Sequence, residues 1–165
     1  MRRCAPLRVK PQRVGVSAAR GLALALGIPV VGVSSLEALA ASARDDHPGH
    51  DILVLLEAGR GGIYAARYDA DGLESVPPEL IDAAQAADLA RAGEPILAGS
   101  AADAVREAVG QNLPAVLRQG TADIATYARV AARRGLPGRA ASPLYLRAAD
   151  AKPQAGFALP RRNEP

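Results

Sequence analysis

The chain has 165 residues, enough for one domain of ordinary size or two small lobes, and 49% of its residues are hydrophobic but only 3% aromatic. A core of this composition has to be built from Ala, Val, Leu and Ile, with small residues that let neighbouring elements pack closely. The formal net charge of +3 comes with scattered arginines, which is far from the concentrated basic patch expected of an autonomous nucleic-acid binder.

Cysteine usage and hydropathy indicate the compartment. The single cysteine, Cys4, excludes an intrachain disulfide and is typical of a reducing environment. No apolar run of 18 residues is free of polar interruption, so we expect no membrane-spanning helix. The basic first residues are followed by neither an apolar h-region nor a small-residue cleavage site. We therefore expect no signal peptide and a cytoplasmic protein.

The most strongly patterned stretch begins soon after an arm, residues 1–11, that shows neither helical nor strand periodicity. A helix is predicted from about Gln12, because apolar residues recur every four positions: Val14, Ala18, Leu22 and Leu26. Gly27 and Pro29 predict its end. Polar groups are confined to a narrow stripe, so the helix is apolar over most of its circumference. We expect it to be buried on more than one side.

The rest of the chain alternates between strand and helix patterns. Residues 30–33 predict a short strand, and Ser34 to Glu37 matches a capping box that begins a helix over 36–44. We then predict, in order, a hairpin of strands 52–56 and 63–68, a third strand over 73–76 that ends before Pro77, helix 83–92, strand 95–98, helix 101–109, and helix 122–134 with Thr121 as N-cap. This order predicts an α/β fold, with a break around residues 45–51.

Two histidines, His47 and His50, are the only ones in the chain and lie in a polar loop with three aspartates nearby. Four such ligands are able to bind a divalent metal ion. Because the spacing is not on a predicted helix, a solvated loop is the favoured interpretation.

Two glycine-containing turns are candidates for phosphate binding. Residues 59–62 lack the Gly-Lys-Ser/Thr of a Walker loop and precede a strand, so a hairpin turn is favoured. Gly99 and Ser100 lie between a strand and a helix, where backbone N–H groups can meet an anion, but an ordinary turn with Ser100 as N-cap is favoured. No serine lies in a G-x-S-x-G elbow, so the residues alone indicate no active site.

Three segments, in order and at consistent spacing, resemble one known family. They are RVGVSAARGLALALGIPVVGVSSLEALAA over residues 13–41, ILVLLEAGRGGIYAARYDADG over 52–72, and SPLYLRAADAKP over 142–153. Together they resemble the TsaB family, also called YeaZ, from about residue 12 onward. The resemblance implies a fold of the actin-like ATPase, or ribonuclease H-like, superfamily.

The resemblance also implies a function. Members of the family are non-catalytic scaffold or activator subunits that pair with a catalytic paralogue, TsaD. With an ATPase, TsaE, they support the synthesis of N6-threonylcarbamoyladenosine in tRNAs that read codons starting with A. Contact with tRNA would be indirect, through the complex, and a homodimer stays open as a second arrangement. No cofactor and no metal are implied.

The expected interface is the first predicted helix, which in the family lies in the bundle formed with the partner. Its members here would be Arg13, Val14, Ser17, Ala18, Arg20, Gly21 and Leu24. From the residues alone, glycine and alanine in this helix permit close backbone approach, although a helix buried within the chain itself fits the same pattern.

The chain also departs from the family pattern. Family members begin with strands, an interface helix and a GPGSFTG-like turn, and nothing similar precedes residue 13. We therefore expect residues 12–50 to be the remnant of a truncated first lobe, 51–153 a complete second lobe, and 154–165 a disordered tail. The strand over 30–33 would then lack sheet neighbours. In addition, Glu57-Ala58-Gly59-Arg60 stands where members commonly have Asp-Ala-Arg.

Three alternative functions stay open. A metallopeptidase-like enzyme would use His47 and His50 as metal ligands, and a kinase-like ATPase would bind nucleotide between two lobes. Truncation of the first lobe disfavours both. A module that binds tRNA directly is disfavoured by the mild net charge.

Overall fold

The computed structural model of the protein describes residues 11–135 and 141–147. Within these ranges the elements are α1 (Pro11–Leu26), α2 (Ser35–Asp46), β1 (Ile52–Gly59), β2 (Gly62–Tyr68), β3 (Glu74–Ile81), α3 (Ala83–Arg91), β4 (Ile96–Ala98), α4 (Ala102–Val109), β5 (Ala115–Val116) and α5 (Ile124–Arg134). None of these helices is long and apolar enough to cross a membrane. Cys4, residues 1–10 of the predicted arm and the predicted tail, 154–165, lie outside the described residues.

The strands form one five-stranded sheet in the order β3-β2-β1-β4-β5. β1 pairs with β2 in antiparallel and with β4 in parallel orientation, and β5 continues the parallel half. The first four residues of β1, Ile52 to Leu55, are all buried, as expected for a continuous apolar run in a central strand covered on both faces. The predicted α/β class is confirmed.

Successive side chains of β1 point to opposite faces of the sheet and build two cores. Leu53 and Leu55 pack in the core covered by α3 and α4. Ile52 and Val54 pack on the other face, against α2. Many of the partners in both cores are alanines, which is how a chain with few aromatic residues brings its helices close to the sheet.

α2 is covered on two sides. One face, which includes Leu39, packs on the sheet. Ala38 and Ala41 belong to the other side of the helix and are also buried, and α5 packs on α2. Ion pairs between Arg134 and Glu37 and between Arg129 and Asp45 join the two helices.

The hairpin between β1 and β2 is confirmed, and β1 is longer than predicted because it continues to Gly59. The turn consists of Arg60 and Gly61, whose φ angles of 53° and 73° are both positive. Two central residues with positive φ match the right-handed twist of the flanking strands, and here they explain the glycine-rich sequence.

The end predicted for the third strand is wrong, because β3 continues through Pro77 and Pro78. β3 is an edge strand with a neighbour on one side only. A proline, which has no N–H, therefore removes no hydrogen bond to a second neighbouring strand. The register with β2 also shifts between Ala65 and Arg67, opposite the prolines. β5 has only two residues and was not predicted from the sequence.

Two predicted helix caps are wrong and one is confirmed. α4 follows Ala101 without a side-chain cap, and the Ser100 hydroxyl instead accepts a hydrogen bond from the N–H of Glu57 on β1 (3.1 Å). Asp123, not Thr121, caps α5. The hydroxyl of Ser34 accepts from the N–H of Glu37, as predicted, whereas the Glu37 carboxylate pairs with Arg134.

The strand predicted over residues 30–33 is wrong. The backbone from residue 28 to 34 is assigned to no strand. Within the described residues, no strand lies beside it to form a ladder. The β-branched composition favours an extended backbone, but a strand also needs a neighbour. The division into lobes at residues 12–50 and 51–153 stays a prediction.

Two leucine-to-alanine substitutions compare the core with α1. Leu39→Ala removes a side chain that is 0% exposed and should lower the free energy of unfolding by about 2–5 kcal/mol. Leu24→Ala removes one that is 86% exposed and should change it by no more than about 0.5 kcal/mol. Urea denaturation measures both, and a large loss from Leu24→Ala would show that α1 is packed against the chain.

Candidate functional site

α1 is largely uncovered. Of its residues 14–26, only Ala23 is buried, and the large apolar side chains are exposed: Val14 by 55%, Leu22 by 64%, Leu24 by 86% and Leu26 by 66%. The expectation that this helix is buried on more than one side is therefore wrong. Apolar residues around most of a helix require cover, but the described part of the chain supplies full cover only at Ala23 and partial cover only at Val16.

The helix ends as predicted, and its end sets the path of the chain. Gly27 adopts a positive φ of 64°, and its N–H donates to the carbonyl of Leu24 (3.4 Å). The N–H of Ile28 donates to the carbonyl of Ala23 (3.0 Å). This pair of bonds is a Schellman motif, for which glycine is the favoured residue.

The residues predicted as a partner interface lie together on α1. All of those with described side chains are exposed: Val14, Ser17, Ala18, Arg20, Gly21 and Leu24. Arg13 lies in the first turn of the helix, and its side chain is outside the described set. Ser17, Gly21 and Leu24 follow the i, i+4, i+7 spacing of one helical face. Val16 and Ala23, the two least exposed residues of α1, lie on a different face.

A groove lies between the last turns of α1 and the extended segment that follows. It is lined by Arg20, Gly21, Ala23, Leu24, Gly27, Ile28 and Val30. Three of these residues belong to the predicted interface. Sequence reasoning missed Ile28 and Val30 as part of the same surface, because only the turn at Gly27 brings them beside the helix.

α5 contacts the extended segment through Arg134. Arg134 Nη1 donates to the carbonyl of Gly32 (2.6 Å), and another nitrogen of the same guanidinium pairs with Glu37. Within the described residues, the backbone from 29 to 33 makes no hydrogen bond to other backbone groups. The segment that joins α1 to α2 is thus held without a backbone ladder among the described residues.

Tyr68 lies in the same polar region, at the end of β2. Its side chain is buried, and burial is the largest cause of a raised pKa for its hydroxyl group. The negative charges of Glu74 and Glu37 raise this pKa further, while a hydrogen bond with Ser34 and the charge of Arg134 lower it. The phenol therefore keeps its proton in the folded protein at an alkaline pH where an exposed tyrosine loses it.

The other chemical candidates are structurally ordinary where the chain is described. His50 Nδ1 lies 3.1 Å from the carbonyl oxygen of Pro48, and the described residues contain no group of three His, Cys, Asp or Glu placed to hold a metal ion. At Gly99 a Cβ atom would lie 2.4 Å from the carbonyl oxygen of Leu55. Close packing on β1 is therefore sufficient to explain this glycine.

Comparison with family models and curated proteins gives two findings. The model described as TsaD: tRNA N6-adenosine threonylcarbamoyltransferase matches residues 9–149. Uncharacterized proteins of Mycobacterium tuberculosis and Mycobacterium bovis are 35% identical over 153 residues, or 92% of this chain. The chain spans 65% of the length of these relatives.

Comparison with solved structures concerns the fold. A Pseudomonas aeruginosa protein described as similar to peptidase YEAZ superposes with a TM-score of 0.62 at 24% identity, over 87% of this chain and 70% of that one. YeaZ from Pseudomonas aeruginosa gives a TM-score of 0.60 at 22% identity, over 79% of this chain and 65% of that one. These likenesses confirm the fold expected from the resemblance.

The raised pKa of Tyr68 predicts a loss of stability at alkaline pH. The unfolded chain releases the phenolic proton near pH 10 and the folded chain holds it to higher pH, so the contribution is complete below about pH 10 and is lost as pH rises further. Tyr68→Phe should flatten this decline. Urea denaturation at about pH 8 and about pH 11 measures it, and an identical decline in both proteins would contradict the assignment.

Proposed function

The chain belongs to the TsaD: tRNA N6-adenosine threonylcarbamoyltransferase family, and from that premise we propose that it is a non-catalytic subunit of the tRNA-modifying machinery. Its task would be to bind the catalytic paralogue, TsaD, and support the synthesis of N6-threonylcarbamoyladenosine in tRNA. The observation that carries this proposal is the uncovered surface of α1. Because the chain spans only part of its relatives, activity, substrate and partners are all included in the proposal.

The surface has the composition of a docking site. Val14, Leu22, Leu24 and Leu26 expose most of their side chains on a single helix. Full burial of one such side chain is worth roughly 1.5–3 kcal/mol relative to leaving it in water. A partner that covers several of them gains a substantial part of what an interface needs, after the entropic cost of association.

Small residues in α1 would let a partner come close. Gly21 and Ala18 are both exposed, and a Cβ added at Gly21 would meet no atom within 4 Å. Without large side chains at these positions, the backbone of a second helix is able to approach α1 closely. The same positions should therefore be sensitive to bulk.

The described residues favour this reading over the alternatives. They supply several exposed apolar side chains on one helix, whereas nothing among them favours the metallopeptidase-like, ATPase or direct tRNA-binding interpretations. The proposal also includes the ATPase TsaE as a further member of the complex, a cytoplasmic location for the chain and indirect contact with tRNA through the complex. A homodimer through the same surface is the second arrangement.

A bulky charge on α1 tests the proposal. Ala18→Arg should weaken binding to the catalytic TsaD paralogue by at least about tenfold, because it puts a long charged side chain between Val14 and Leu22, which lie one turn away on either side of it on the same helical face. Ala108→Arg is the matched control, since Ala108 is exposed on α4, which packs on the face of the sheet opposite to α2. Binding is measured by titration of the purified proteins.

Both variants should keep the urea midpoint of the wild-type protein, since both positions are exposed. Undiminished binding by Ala18→Arg, or no binding by the wild-type chain, would overturn the assignment of α1 as the docking surface.

A further inference from the structure

The last described segment, residues 141–147, belongs to neither a helix nor a strand, so no ladder of the sheet holds its backbone. At its first residue, the methyl carbon of Ala141 lies 3.3 Å from the position that a Cβ on Gly32 would take. At its last residue, Arg147 Nη2 donates to the carbonyl of Gly59 (3.2 Å), where β1 ends. The segment, which we call the C-terminal strap, therefore runs from the junction before α2 to the β1–β2 hairpin.

The strap is fastened at the hairpin by an apolar contact and by a charged one. Leu146 is half-buried and packs on the core under α2. The Arg147 guanidinium lies beside Gly62, where an added Cβ would be 3.4 Å from Nη2 and 2.9 Å from Leu80 Cδ1. A glycine at this position therefore leaves the space that the two side chains occupy. Because the donor is charged, the hydrogen bond to the Gly59 carbonyl is stronger than one between neutral groups.

Between its fastened ends, the strap is open to solvent. Leu144 and Tyr145 are 56% and 62% exposed. A segment with few buried apolar contacts and no backbone ladder opens at a lower free energy than a buried strand. The first four residues of β1 are, in contrast, completely buried. We therefore expect the strap to open before the sheet unfolds.

Opening of the strap removes cover from one end of a core. Leu56, in the second half of β1, and Leu117, directly after β5, are half-buried and pack on the same core as Leu146. The contact between Arg147 and Gly59 places Leu146 at this end of the core, since Gly59 is the last residue of β1. Exposure of these leucines to water is unfavourable, which favours the closed strap.

We infer that the C-terminal strap is a lid on the core under α2, which opens and closes while the sheet stays folded, and that Arg147 is its latch. In the closed form the lid covers the leucines at one end of the core, and the hydrogen bond of Arg147 to the hairpin stabilises that form. The inference is independent of the proposed function, because none of these residues belongs to α1.

A single tryptophan in the full chain reports the state of the lid. The sequence contains no tryptophan, so Leu144→Trp places one fluorophore on an exposed position of the strap. Its fluorescence anisotropy during a urea titration follows the strap, and far-ultraviolet circular dichroism follows the helices and the sheet. Binding of anilinonaphthalene sulfonate, which reports exposed apolar surface, follows the core beneath the strap.

Two further substitutions in this reporter protein weaken the latch from its two sides. Arg147→Met removes the guanidinium and keeps the length of the side chain, and Gly62→Ala adds a Cβ close to the guanidinium and to Leu80. Arg91→Met is the control for the first, because Arg91 is exposed on α3. Gly120→Ala is the control for the second, because a Cβ there meets no atom within 4 Å.

We expect the anisotropy of the reporter protein to fall at a lower urea concentration than its circular dichroism. Arg147→Met should increase the open fraction about fivefold, because one hydrogen bond is lost, and dye binding should rise with it. Gly62→Ala should act in the same direction. The midpoint of the circular dichroism should be the same in all variants, and both controls should behave like the reporter protein.

Three results would contradict the inference. Coincident transitions of anisotropy and circular dichroism would show that the strap unfolds with the sheet. An open fraction that Arg147→Met leaves unchanged would overturn the assignment of the latch. A strap that detaches without added dye binding would overturn its role as a lid.

Discussion

The packing of β1 between two layers of helices is the interaction on which the described structure depends. Leu53 and Leu55 supply the core under α3 and α4, and Ile52 and Val54 supply the core under α2. Each of these four side chains is completely buried. Because every other layer is built on this strand, α1 is the element that the chain is able to leave uncovered without losing its core.

The features that were predictable from the sequence are those decided by neighbouring residues. The hairpin around Arg60 and Gly61 follows from turn chemistry, and Gly27 ends α1 through bonds within six residues. Two of the features that failed depend on distant parts of the chain. Ser100 has a hydroxyl suited to a cap, yet that hydroxyl accepts a hydrogen bond from the N–H of Glu57, 43 positions away. The segment over 30–33 has strand composition but no strand beside it.

The candidate site divides in the same way. Its helical half was predictable, because the resemblance and the helical period place Ser17, Gly21 and Leu24 on one face. Its other half, Ile28 and Val30, becomes part of the surface only through the turn of the chain after Gly27. Burial of α1 was the wrong expectation because periodicity reports which residues require cover and not which molecule provides it. An apolar circumference is shared by a core helix and an interface helix.

The junction between α1 and α2 depends on a residue made much later in synthesis. Arg134 donates to the carbonyl of Gly32 across a separation of 102 positions, and it also pairs with Glu37. Contacts of such long range form late, since closing a long loop has to precede them. On the ribosome, α1 emerges well before α5, which carries Arg134. The apolar surface of α1 is therefore available for association before the contacts of Arg134 with the junction have formed.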